Sequence, residues 1–574
     1  MGGWLNWLMG LWNKWAAQIL VLFSLTLQVV LHVLAGVRRR ETTAVWTAVR
    51  RLVLWLAYQL ADTTATYAVD KNQHFYIKYE HSHRQGSDQG DKGVGDEFLL
   101  QRAHSLFHVC ERGIVDSVID GDGDLENPDL ENADTWAIRD LFRGEKYPDG
   151  DPSTATVMQM ELSLMYDILY TKANVIHTYM GYGIRAMAPL TVVTSLLLFH
   201  FSGKGGHNIV DVAITYVLLG GALILEIKSL LSSLGSTWAL AFLCATRWSW
   251  LRHVALCSGR WYRLRRALVS LRRPAMSVTL GSSRKWTLTM GQYSMMLSCA
   301  RRVNMTSGWF NDWSSFVGLS DWLDRKQCSW NIPVPEMVMT RLQKILKQIF
   351  KLGDLNTMGL LRRKWGKQAK SSSDRTKQFE AIKDYHGVDF HESVLIWHIA
   401  TEMFLTTREL DGLPIVEAIR ALSNYLMFLF VDRPDMLPGL PQNWLYQQTM
   451  KNMVQLYKSH SGFVKESSWL KQTKQVAGIL LQQDQEQVRS GPKVPRLKYA
   501  RKVARKLIEW ENEDPVEVLL DLWIDFLVYA ANRCNRESHA KKLNNGCEFL
   551  TVVWLMVEHY SILENARKVK ESNK

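Results

Sequence analysis

FHESVLIWHIATEMFL, residues 390 to 405, gathers His391, Glu392, His398 and Glu402 in one short stretch. On a helix, His398 and Glu402 at four-residue spacing share a face, as two ligands of one metal ion would. No HExxH pair accompanies them, and two ligands leave a tetrahedral ion half-coordinated, so packing or surface hydrogen bonding is the plainer expectation. A second set lies further on, where Cys534, His539 and Cys547 could supply a nucleophile and its base. No orienting third group or nucleophile elbow goes with them. Neither set is expected to be catalytic, cofactor-binding or metal-binding, and the chain is not expected to be an enzyme. DGDGDLENPDLE sets Asp120, Asp122, Asp124, Glu126 and Glu131 at positions 1, 3, 5, 7 and 12 of a calcium loop. Leu125 stands where that loop needs glycine and Pro128 interrupts it, which favours a solvated acidic loop. His81 and His83 alone make too short a constellation for a metal. SGKGGHN, residues 202 to 208, lacks the GxxxxGKS spacing of a phosphate loop. MGGWLN departs from the myristoylation pattern at Asn6.

The remaining unusual charges, Asp62, Asp211 and Glu226, fall in apolar segments, where each costs a few kcal/mol unless paired or wetted, about 2.5 to 3.5 at a helix centre. Trp15 to Val37 runs 23 residues without a formal charge. At about 1.5 Å per residue that is roughly 34 Å, enough for a hydrocarbon core of about 30 Å. Arg38, Arg39 and Arg40 follow the run instead of preceding it, the order of an anchor and not of a cleaved signal. Trp4, Trp7, Trp12 and Trp15 have the placement of headgroup-level anchors. Leu52 to Val69, with Asp62 near its middle, is the second segment; Ala186 to Ser202 and Ile209 to Leu225 follow, and Ser229 to Thr246 is a weaker fifth. Five spans with the amino terminus outside place both basic clusters in the cytoplasm; without the fifth, the carboxyl-terminal half reverses.

Net charge is +13, and its distribution is uneven. No acidic residue lies between Glu226 and Asp312, while 13 lysines and arginines do. Beside a span, such a zone marks the cytoplasmic side and attracts anionic lipid headgroups at about 1 kcal/mol per charge. Trp248, Trp250, Trp261, Tyr262 and Trp286 could stack on bases, but the zone adjoins a membrane segment and matches no nucleic-acid module, so no nucleic acid is expected. Seven cysteines without a CxxC pair fit a reducing compartment.

This divides the chain into 1–69 with two transmembrane helices, a polar and partly helical insertion at 70–185, two or three further transmembrane helices at 186–256, a basic juxtamembrane and linker region at 257–380, and a helical carboxyl-terminal domain at 381–574. HSHRQGSDQGDKGVGD, QAKSSSDRTKQ and QDQEQVRSGPKVP mark linkers. Asp514-Pro515-Val516-Glu517 is a helix start with an N-cap, a proline at the first position and a glutamate at the third. Phe549 to Val557 is too short to span and is expected to be a buried helix.

FHESVLIWHIATEMFL, LSNYLMFLFVDRPDMLPG (422–439) and YAANRCNRESHAKKLNNGCEFLTVVWLM (529–556) resemble the blocks of a plant membrane-protein family of unknown activity. Its members join an amino-terminal domain of unknown function 4220 to a carboxyl-terminal domain of unknown function 594. The first two apolar segments resemble that family's first two spans. The resemblance implies an integral membrane protein, of the plasma membrane or an endomembrane, and brings no reaction, substrate or catalytic residue. The chain departs from it at residues 70–97, which lack the family's next block and pair of spans, and at Cys547, where a second glycine is usual. The expected architecture is all-α: a multi-span transmembrane bundle plus a helical cytoplasmic domain. The expected role is a scaffold or interaction protein with a protein partner for its carboxyl-terminal domain; the alternative is a transporter or channel component using Asp62, whose flux Asp62→Asn would abolish.

Overall fold

The computed structural model describes residues 92–115, 152–201, 209–245, 288–304, 328–351, 389–408, 412–460, 469–482, 495–510, 514–544 and 546–572, together with single positions 261, 263, 267 and 410. The first two apolar segments with Asp62, His81 and His83, the acidic loop 120–131, the loop 202–208 and most of the basic stretch lie outside the described residues. The chain divides into two compact units. One takes residues 1–111, 156–286 and 542–546, and the other takes 112–155, 287–541 and 547–574.

The first unit draws on α1 (Lys92–Val115), α2 (Pro152–Tyr170), α3 (Ala173–Ile176), α4 (Tyr179–Phe201), α5 (Ile209–Leu234) and α6 (Thr237–Ala245). Ala103, Leu106, Phe107 and Cys110 recur at three- and four-residue steps and form the buried stripe of α1. Trp238 of α6 anchors this core. His104 and Phe107 meet its ring edge-on at 5.2 and 5.7 Å, and its Nε1 donates to Asp167 Oδ2 at 3.1 Å.

Helices α4 and α5 pack as an antiparallel hairpin, joined by polar contacts near both ends: Arg185 with Ser229 and Ser233, and His200 Nδ1 with the Tyr216 hydroxyl at 3.0 Å. Both are long and apolar enough to cross a membrane, and none of the most apolar window of either is buried. A third helix of that length and hydropathy, Pro414–Asp432, is 78% buried over its window and is therefore a core element of the second unit.

The fifth apolar segment is not a span of its own. Its first residues continue α5, because Glu226 and Lys228 are good helix formers and do not stop it. That helix runs on to Leu234, just before Gly235, and the remainder of the segment forms α6. This last helix is nine residues or roughly 14 Å long, with Trp238, Leu240 and Phe242 buried.

The second unit draws on β1 (Thr289–Tyr293), α7 (Met295–Asn304), β2 (Ser329–Pro333), α8 (Glu336–Lys351), α9 (Phe390–Thr407), α10 (Pro414–Asp432), α11 (Asn443–His460), α12 (Trp469–Gln482), α13 (Pro495–Ile508), α14 (Pro515–Arg533), most of α15 (Arg536–Leu543) and α16 (Phe549–Ser572). The architecture is mostly helical, with one departure from the all-α expectation. β1 and β2 pair antiparallel, Gly291 opposite Asn331. The ribbon lies on α10 so closely that a Cβ at Gly291 would sit 2.3 Å from the Phe428 ring. Gly291→Ala should therefore lower stability by about 1 to 3 kcal/mol, read as a fall in the thermal unfolding midpoint.

The predicted start of α14 forms as written. Asp514 accepts from the Val516 N–H at 3.0 Å, and Pro515 opens the helix. Residues 549–557 of α16 are buried throughout.

Candidate functional site

Helix α9 is covered on several sides, by α10, α12 and α13, which is why its polar residues are buried and must find partners. His398 Nε2 accepts from the Met295 N–H at 3.2 Å. The proton of the neutral ring therefore sits on Nδ1, which donates to the Ser423 hydroxyl at 2.9 Å. Burial pushes this imidazole down to about 4. Glu402 pairs with Arg420 at 3.6 Å, and Glu392 with Arg496 at 3.0 Å. His391 packs its ring 5.4 Å from Phe430, and burial pushes it down to about 4. The four residues read together in the sequence thus take separate partners. Among the described residues no group of three His, Cys, Asp or Glu could hold a metal ion.

The second constellation is likewise dispersed. His539 Nε2 faces the Ala531 carbonyl at 3.2 Å; a carbonyl can only accept, so Nε2 carries the proton and Nδ1 accepts from the Thr551 hydroxyl at 3.0 Å. The ring stacks on Trp554 at 5.0 Å, and burial pushes it down to about 4. Both nitrogens are engaged, and neither engages a thiol. Cys534 lies 3.9 Å from the Asp435 carbonyl and 3.6 Å from that of Asn535. Cys547 lies 3.4 Å from the Glu548 carbonyl, and burial pushes its thiol up, away from the reactive thiolate.

A polar cluster that sequence reading missed sits at the head of α16. The Tyr425 hydroxyl accepts from the Leu550 N–H at 2.9 Å, so a residue of α10 serves one of the orphan amides that open α16. The same hydroxyl donates to Glu548 Oε2 at 3.4 Å, and Glu548 Oε1 lies 3.7 Å from Arg433, which also meets Asp432 at 3.4 Å. Gly546, at φ +83°, supplies the left-handed turn that lets the chain enter α16. Only the apolar run after a glutamate was visible in the sequence; its partner lies more than a hundred residues away. Tyr425→Phe should cost about 1 to 3 kcal/mol by leaving the Leu550 amide without its acceptor, seen as faster amide exchange in the first turn of α16.

In the first unit the hairpin carries its own polar cluster. Arg185, one residue before the apolar segment as read from sequence, lies inside α4. Its Nη1 donates to the Ser229 carbonyl at 3.1 Å, to the Ser229 hydroxyl and to the Ser233 hydroxyl at 2.9 Å, and Glu226 is near enough to act on it electrostatically. Trp261, one of the aromatics available for base stacking, is buried instead, and its Nε1 donates to the Leu234 carbonyl at the end of α5 at 3.0 Å.

Comparison with known families bears on both units. Residues 71–298 match the model of a domain of unknown function (DUF4220), and residues 508–562 match that of a protein family of unknown function, DUF594. The chain carries both domains. The DUF4220 match takes in the polar region read as an insertion, the α4–α5 hairpin and most of the basic stretch, and it begins after the first two apolar segments. The DUF594 match runs from the end of α13 into α16 and includes Cys534, His539 and Cys547. In that domain His539 and Thr551 join α15 to α16 through a core hydrogen bond. No curated protein and no solved structure matches the chain.

Proposed function

We propose that the chain is an integral membrane scaffold in which the α4–α5 hairpin of the DUF4220 domain crosses the bilayer and the DUF594-containing helical unit binds a protein partner. The observation that carries this reading is the exposed apolar surface of the hairpin. Met180, Ile184, Met187, Leu190, Leu198 and Phe201 of α4 project outward, as do Ile209, Val217 and Ile224 of α5. Water does not tolerate so continuous a surface, whereas hydrocarbon does.

Two spans in a hairpin return the chain to the side it left. Residues before α4 and after α6 then share a compartment, which replaces the five-span layout. The stretch 247–302 carries 12 arginines and lysines without an acidic residue, against five arginines in 38–51. The larger cluster sets the side, so the carboxyl-terminal unit is cytoplasmic and the basic stretch that precedes it meets anionic headgroups. The scaffold role is supported by the internal use of the chemistry-bearing residues of α9 and α15, which hold helices together.

Alkaline carbonate extraction tests the anchor: the chain should remain in the pellet. Glycosylation acceptors placed in 202–208 should be modified while those placed after residue 246 stay bare, and the reverse pattern would overturn the orientation.

A further inference from the structure

Helices α11, α12 and α13 contain ten lysines and arginines and no aspartate or glutamate. The three pack against one another, so a surface with an excess of positive charge is built from three separate segments of sequence, although Glu509 pairs with Lys506 at 3.0 Å and the Asp389 carboxylate accepts from Gln442 next to the tip. Part of this charge serves the fold: Arg501 donates to the Leu480 carbonyl at 2.7 Å and Arg505 to the Leu481 carbonyl at 3.3 Å, capping the end of α12. Lys451 and Lys458 of α11, seven residues apart on one face, and Lys498 of α13 are exposed.

Beside this surface stands an apolar tip. Gly439, at φ +97°, turns the chain after the buried Leu437, and Leu440 emerges 83% exposed. Trp444, in the first turn of α11, is 57% exposed, with the Arg496 guanidinium 5.1 Å above its ring. Arg496 is itself held by Glu392 and by Gln448 at 3.0 Å, which fixes the indole against the start of α13.

From this juxtaposition we infer that the Leu440–Trp444 tip and the basic faces of α11 to α13 form a docking surface for an anionic phospholipid leaflet. An exposed leucine contributes nothing to phosphate or base recognition, but with a tryptophan it suits the headgroup and acyl boundary, and lysines around it meet the headgroup charge. The inference rests on the hairpin's crossing the bilayer, since the covalent tether then holds this unit at high effective concentration near the same membrane.

The full chain, carrying Leu440→Cys labelled with an environment-sensitive dye, is reconstituted in vesicles of phosphatidylcholine alone or mixed with phosphatidylserine; labelled wild type gives the background of native thiols. Brominated lipid should quench the dye in the phosphatidylserine vesicles, and raising salt to about 1 M should relieve the quenching. Lys451→Gln, Lys458→Gln and Lys498→Gln together should lower the docked-to-free ratio on the order of a hundredfold. Absence of quenching, or quenching indifferent to phosphatidylserine and to the three substitutions, overturns the inference. So does a dye that responds to single-stranded RNA and not to the anionic vesicles, which would make the partner a nucleic acid. Carbonate extraction of the same samples reads the spans separately: an unquenched dye on a retained chain removes the docking and leaves the hairpin in the membrane.

Discussion

Lowering the pH from about 7.5 to about 5 will weaken the carboxyl-terminal unit by roughly 6 kcal/mol, through three buried imidazoles. His391, His398 and His539 are each held near 4 by burial, below the ordinary 6.5. In the unfolded chain they take up protons near 6.5; in the folded unit they stay neutral until near 4. The unfolded state therefore binds more protons across that window, and stability falls as pH drops through it. Full stability is present above about 6.5, and each imidazole removes about 2 kcal/mol by pH 5. Hydrogen exchange of the α9, α14 and α16 amides between these pH values measures the effect. His398→Gln and His539→Gln should each flatten the pH dependence by about a third, whatever they do to stability at neutral pH. An unchanged slope would show that these rings are already solvated.

The second large effect separates a bilayer from water around the hairpin. Leu190 near the middle of α4 is 59% exposed, and Ile224 of α5 is 67% exposed. In water, arginine at either place changes stability by no more than about 0.5 kcal/mol, since it touches little. At the centre of a bilayer each arginine costs about 2.5 to 3.5 kcal/mol. Leu190→Arg combined with Ile224→Arg should therefore disfavour insertion by roughly 5 to 7 kcal/mol. Glycosylation of an acceptor in 202–208 should disappear in the double variant and persist in Leu190→Gln. Persistence in the double variant would place the hairpin in an aqueous setting.

The fate of α10 shows why hydropathy alone did not settle which apolar helices stay uncovered. Its 19 residues qualify by length and composition, as do those of α4. What differs is the surroundings. α10 is covered by β1, α9 and α14, whereas the outer faces of α4 and α5 stay exposed among the described residues. The ribbon of β1 and β2 was illegible for another reason. Each strand is only five residues long, and neither TMGQY nor SWNIP alternates cleanly; pairing across 35 intervening residues makes them strands.

The sequence by itself determined what is local. Three- and four-residue apolar steps predict helices, Asp514-Pro515 opens α14, and the apolar stretches 186–202 and 209–225 mark the hairpin. These follow from backbone geometry and transfer energy, which act over a turn or two. Only the tertiary structure decided the partners. His398 meets Ser423, His539 meets Thr551, and Tyr425 reaches Leu550, so the residues with most chemical promise hold the core together. It also packed α11, α12 and α13, which carry ten cations, against one another and set Arg496 over Trp444. Charge and exposure are properties of surfaces, and a surface exists only once distant segments have packed.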